Sequence, residues 1–124
     1  MTDVTASSPA AIAHCETRVV GTLVFCAGQI GMAPGGTVPA DPAAQFAAAF
    51  AGLARVLAPH GCTLADVVDL TTFHVGYPAH MGAFMAARAA AMAEAQATWT
   101  AIGVTALGYP GSLVELKAIA ALPG

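Results

Sequence analysis

The closing segment of the chain, Thr98 to Ala121 (TWTAIGVTALGYPGSLVELKAIAA), constrains the fold more than any other stretch. Its first half, Trp99 to Leu107, is rich in β-branched and aromatic residues and predicts a strand. Leu113 to Ala120 predicts a second strand, and Gly108-Tyr109-Pro110-Gly111 is turn chemistry that joins the two. Successive side chains on a strand point to opposite faces. Val114, Leu116, Ala118 and Ala120 therefore share a wholly apolar face that belongs against a packed layer. Glu115 falls on the other face with Leu113, Lys117 and Ile119. With the first strand taken as its neighbour, Glu115 shares that side either with Thr100, Ile102 and Val104 or with Trp99, Ala101 and Gly103. A carboxylate on a sheet needs water or a partner, because burying it alone is costly.

The preceding residues supply the rest of a layer. Cys15 to Val20 reads as extended, Gly21-Thr22 as a turn, and Leu23 to Ala27 as an apolar strand. That strand ends at Ala27-Gly28-Gln29-Ile30-Gly31, where Gly28 suits a close approach of another group to the backbone. Met32 to Ala40, with two Pro and two Gly, predicts a loop with room for a short strand. Asp41-Pro42 combines an N-cap with a first-turn proline. The helix it opens runs to about Ala58, with Phe46, Phe50, Leu53 and Leu57 on one stripe and Pro59-His60-Gly61 as its stop. Leu64 to Asp66 leads into a strand over Val67–Val75. Tyr77-Pro78 opens a second helix, about Ala79 to Ala95, with Met81, Phe84, Met85, Arg88 and Met92 along one side. Residues 1–9 read as a loose polar tail on a single domain spanning 1–124. The order ββ(β)αβαββ makes this an α+β protein, a mixed sheet with two helices on one face. Two helices leave the face of Glu115 uncovered, and a closed homo-oligomer supplies the cover.

Composition agrees with a chain that hides surface against copies of itself. Charged residues are 9% and apolar residues 57%, against roughly 25% charged in an average domain. Four basic residues and a net charge of −3 leave no footprint for nucleic acid. No apolar run is long enough to span a membrane and MTDVTASSPA lacks a signal pattern, so the chain is expected to be soluble and cytoplasmic. Three cysteines and four histidines stand at no ligand spacing, so no metal is expected and the thiols read as free.

Three segments together carry a family resemblance: Leu23 to Ile30 (LVFCAGQI), Thr63 to Val75 (TLADVVDLTTFHV) and Leu113 to Ala120 (LVELKAIA). They resemble, in register, the Rid/YjgF family of reactive-intermediate deaminases, over roughly Pro9 to Ala121. The resemblance implies a chorismate-mutase-like fold, a homotrimer with pockets at its subunit clefts, and cofactor-independent hydrolysis of enamines and imines to ammonia and a 2-keto acid. Glu115 matches the glutamate that orients the attacking water. Gly28 matches the strand-end glycine, with Ala27 in place of the serine before it, and His14 falls where the family has a pocket tyrosine. Thr100 stands where the deaminases carry the arginine that pairs with the substrate carboxylate. A hydroxyl cannot replace a bidentate guanidinium, so the chain resembles an arginine-lacking branch of the family.

The candidate site is therefore Glu115 as acid/base with His74 as a proton partner. His14, Ala27, Gly28, Trp99, Thr100, Ala101, Ile102 and Tyr109 line a pocket for a small-molecule substrate. His74 joins Glu115 if Phe73 and Val75 pack under the helices. The leading expectation is a Rid-like hydrolase or deaminase acting on an enamine, imine or related unsaturated metabolite, larger or less anionic than the family's usual substrates. A lyase, isomerase or cyclisation enzyme using Glu115 with a histidine is the second, and a non-catalytic trimer that binds a metabolite or protein the third.

Overall fold

The computed structural model describes residues 15–124, and the expected tail and His14 lie outside them. Strands β1 (Thr17–Val20), β2 (Leu23–Cys26) and β3 (Gln29–Ile30) precede helix α1 (Pro42–Leu57). Strand β4 (Val67–Val75), helix α2 (Met81–Ala91), β5 (Thr98–Val104) and β6 (Val114–Ala121) follow, with short 3₁₀ turns at Ala58–His60 and Leu64–Asp66. The sheet runs in the order β1-β2-β6-β4-β5, with β3 also paired to β6. All pairings are antiparallel except β4 with β5, which is parallel.

That order corrects the expected adjacency of the last two strands. β4 lies between β5 and β6, so the chain from Thr105 to Leu113 passes across its end rather than closing a hairpin. The cause is α2: a parallel pair needs a crossover, and the helix carries the chain from the end of β4 back to the start of β5. The short strand expected within 32–40 forms earlier, at Gln29–Ile30, where it pairs with Glu115 and Leu116.

Asp41 caps α1 as expected, its carboxylate accepting from Ala44 N–H at 3.0 Å. Phe46, Ala49, Phe50, Leu53 and Leu57 face inward and are buried. Gly61, at φ 72°, ends the segment in a left-handed conformation that suits glycine. α2 is shorter than its apolar pattern suggests, because residues 76–81 close i→i−3 turns (Ala79 N–H to Gly76, Met81 N–H to Pro78) before the helix begins. Its inward residue Phe84 stacks on Phe50 and meets Phe46 edge-on. The underside of the sheet adds Val24, Cys26, Leu70, Val114, Leu116, Ala118 and Ala120, so β6 alternates as its sequence predicts. No helix among the described residues is long and apolar enough to cross a membrane.

Among the described residues no element covers the opposite sheet face. It exposes Val20, Leu23, Phe25 and Ile102, each 36–55% accessible.

Candidate functional site

Parity and register place Glu115 on the uncovered face, half-buried. Its cross-strand partners are Ile30 on β3 and Phe73 on β4, and Phe73 is in turn opposite Ile102 on β5. Thr100 and Ile102, not Trp99 and Ala101, therefore share the face of Glu115. One step along the strands lies a polar row, Lys117, Thr71 and Thr100.

The carboxylate of Glu115 folds onto Gly28, in the break between β2 and β3. A Cβ added at Gly28 would clash with Glu115 Oε2 and lie 2.7 Å from its Cδ. Only a residue without a side chain leaves the carboxylate that seat. Lys117 reaches the same break, its ammonium donating to the Cys26 carbonyl at 3.3 Å. Ala27 between them donates its N–H to the Glu16 carbonyl at 2.8 Å and accepts at its own carbonyl from Gln29 Nε2 at 3.1 Å. A carboxylate and an ammonium thus converge on the end of β2 and the two-residue break after it, over a floor of Phe73, Ile30 and Ile102.

The other expected residues divide. His74 is 4% exposed and lies under the helices, its ring edge-on to Phe84 at 4.7 Å. This corrects the expectation that it faces the same side as Glu115. The cause is a register shift between Val67 and Asp69, which turns Leu70, Thr72 and His74 inward and Phe73 outward. Thr72 Oγ1 is 2.7 Å from His74 Nε2 and accepts from Trp99 Nε1–H at 2.9 Å. With its proton given to His74, the buried Thr72 hydroxyl is satisfied on both sides, which requires Nε2 to be the unprotonated nitrogen. Burial lowers the His74 pKa from its ordinary value.

Trp99 and Ala101 lie on that inner side too, opposite Leu70 and Thr72, and are corrected as pocket walls for Glu115. Trp99 packs near Phe84 and carries the Arg88 guanidinium 4.6 Å above its ring. Tyr109 stands in the β5–β6 connection, where its hydroxyl donates to the Gly36 carbonyl at 3.5 Å. It borders a hollow with Val75, Leu107 and Leu113 at the end of the Glu115 face.

Two positioning residues escape a reading by pattern. Gln45 on α1 is buried, accepts from Leu113 N–H at 2.6 Å, and donates to the Pro39 and Gly111 carbonyls at 3.1 Å each. It therefore ties the loop before β6 to the helix. The signal was an amide beside the apolar stripe. Lys117 was legible only as a charge sharing the parity of Glu115. Cys26 is buried and its thiol pKa is raised, chiefly by desolvation, so it offers no thiolate to the site. Among the described residues no group of three or more His, Cys, Asp or Glu could hold a metal ion.

The fold and site define a two-helix α+β protein whose ionisable chemistry gathers on one open sheet face. The chain belongs to the endoribonuclease L-PSP family, whose model matches residues 5–122, and the Rid/YjgF resemblance read from its sequence is membership. It is 36% identical over 104 residues to the RutC family protein YjgH of Escherichia coli K12, covering 83% of this chain and 78% of that protein. A solved structure of YjgH superposes with a TM-score of 0.79 at 34% identity, covering 88% of this chain and 83% of that one. YyfB of Yersinia pestis, a Rid-family protein, superposes at 0.73 with 37% identity, covering 82% and 80%.

Proposed function

We propose that the chain is a Rid-like hydrolase that adds water to the C=N carbon of an imine, or of an enamine after tautomerisation, with Glu115 as the group that orients and deprotonates the water. The observation that carries the reading is the Glu115 carboxylate held against side-chain-free Gly28 on a face otherwise floored by Phe73, Ile30 and Ile102. Water addition to C=N gives a carbinolamine, and proton transfer to its nitrogen releases ammonia and leaves a carbonyl. One carboxylate can take the first proton and return it in the second step. His74, under the helices, takes no part. The ribonuclease activity in the family's name needs a basic footprint, and the four basic residues do not supply one.

The uncovered face, with Val20, Leu23, Phe25 and Ile102 exposed, supports closure against other copies of the chain. A trimer is the assembly the family membership favours, and it would turn the Glu115 face into the floor of a cleft between subunits.

Glu115→Gln tests the reading. The substrate is the imine formed in situ by oxidising leucine with an amino-acid oxidase, and ammonia release is followed. The amide keeps the shape of the side chain but cannot act as a base. Turnover is expected to fall about a hundredfold or more with assembly intact. Full activity would make Glu115 scaffolding.

A further inference from the structure

Lys117 is the cation on the same strand and same face as Glu115, two residues away, a separation of about 6.6 Å along a strand. Its ammonium and the Glu115 carboxylate both turn to the Cys26–Gly28 break. Among the described residues its one hydrogen-bond partner is the Cys26 backbone carbonyl, and an ammonium has three donors. The residue is exposed, so its free donors point at the open face. The register extends the row with two hydroxyls, Thr71 directly opposite Lys117 and Thr100 opposite Thr71. Of the other basic residues, Arg88 lies over Trp99 and Arg55 is exposed on α1, while Arg18 shares the open face but in the row of Phe25 and Ile119, two strands over from β6.

We propose that Lys117 is the specificity-determining residue of the Glu115 site. Its ammonium, backed by the Thr71 and Thr100 hydroxyls, binds an oxyanion of the substrate while the reacting carbon lies over Glu115. The inference rests on the reading of Glu115 as the reactive carboxylate and assigns the residue of this chain that meets the acidic end of the substrate in the absence of an arginine at Thr100. The substrate is acidic, in contrast to the less anionic molecule suggested by Thr100 alone. A single ammonium with hydroxyls grips less rigidly than a guanidinium fork, so recognition is by charge and reach rather than by bidentate geometry.

The test is calorimetric titration of the full chain with 2-oxopentanoate and with its methyl ester, which has the same skeleton without the charge. Wild type is expected to prefer the anion. Lys117→Met should weaken the anion about tenfold or more, the loss of one charge-assisted hydrogen bond, and leave the ester unchanged. Lys117→Arg should restore the preference. An equal loss for both ligands, an unchanged anion affinity in Lys117→Met, or no preference in wild type would overturn the proposal. Glu115→Gln separates it from the reading it rests on. That variant should lose turnover yet bind the anion as tightly as wild type or tighter, because a nearby negative charge has gone. Full turnover in Glu115→Gln would overturn the role of Glu115 while the lysine result stands by itself.

Discussion

Gly28→Ala probes the seat of the carboxylate without touching the carboxylate. A Cβ on Gly28 falls 2.7 Å from Glu115 Cδ and 3.0 Å from Cγ. Carbon contacts are comfortable at about 3.5–4.0 Å, so the side chain has to retreat by about 1 Å. Gly28 is not among the glycines with positive φ, so alanine adds no backbone strain. The cost falls on the rotamer of a half-buried side chain, about 0.5–1.5 kcal/mol. For a chain of this length that is a fall in Tm of a few degrees. The expected effect on rate is much larger, because a displacement of about 1 Å at a reacting group can cost about a hundredfold. Thermal denaturation and ammonia release from the leucine-derived imine, run on the same preparation, measure both. Unchanged turnover with a shifted Tm would refute the reasoning, since the carboxylate would then work equally well from another position. A collapse of the fold would refute the stability half.

Three other outcomes are expected. Thr100→Arg adds a guanidinium to the row of Lys117 and Thr71 and should raise hydrolysis of the imine derived from 2-aminoacrylate about tenfold or more over the wild type; an unchanged rate sinks the idea that this row meets substrate. His74 has a folded-state pKa below its unfolded value, so as pH falls the unfolded chain takes up the proton first and stability declines. The contribution is whole above about pH 6.5 and is lost progressively below it, so the stability difference between wild type and His74→Gln, followed by denaturant titration, should shrink on acidification; a difference independent of pH contradicts the buried neutral imidazole. Light scattering should find a trimer, and a monomer at micromolar concentration would leave the exposed Leu23, Phe25 and Ile102 unexplained.

Much of this was legible where local chemistry decides. Asp41-Pro42 fixed the start of α1, and strict alternation over Val114 to Ala120 placed Glu115 opposite the core. Strand order was not legible, because neighbours in sequence pair only when the connection lets them, and α2 brings β5 alongside β4 instead of β6. The face of His74 was misread for a different reason. Phe73 and Val75 are the more apolar pair, but the bulge after Val67 resets the alternation, and Thr72, Trp99 and His74 satisfy one another's polar atoms beneath the helices. Gly28 was visible as a place of close approach, whereas the identity of the approaching group required the fold. Gln45 was invisible because two of its three partners, Gly111 and Leu113, lie in a loop 66 and 68 residues away in sequence.

The most direct test of the central claim is a crystal structure of the chain with 2-oxopentanoate bound, the carbonyl product class of the proposed reaction. The ligand is expected on the uncovered sheet face, with its carbonyl carbon near the Glu115 carboxylate, its carboxylate on Lys117, and a second subunit closing over it. A ligand bound elsewhere, for example in the groove between α1 and α2, with Glu115 left in bulk solvent on an uncovered sheet, would contradict the account.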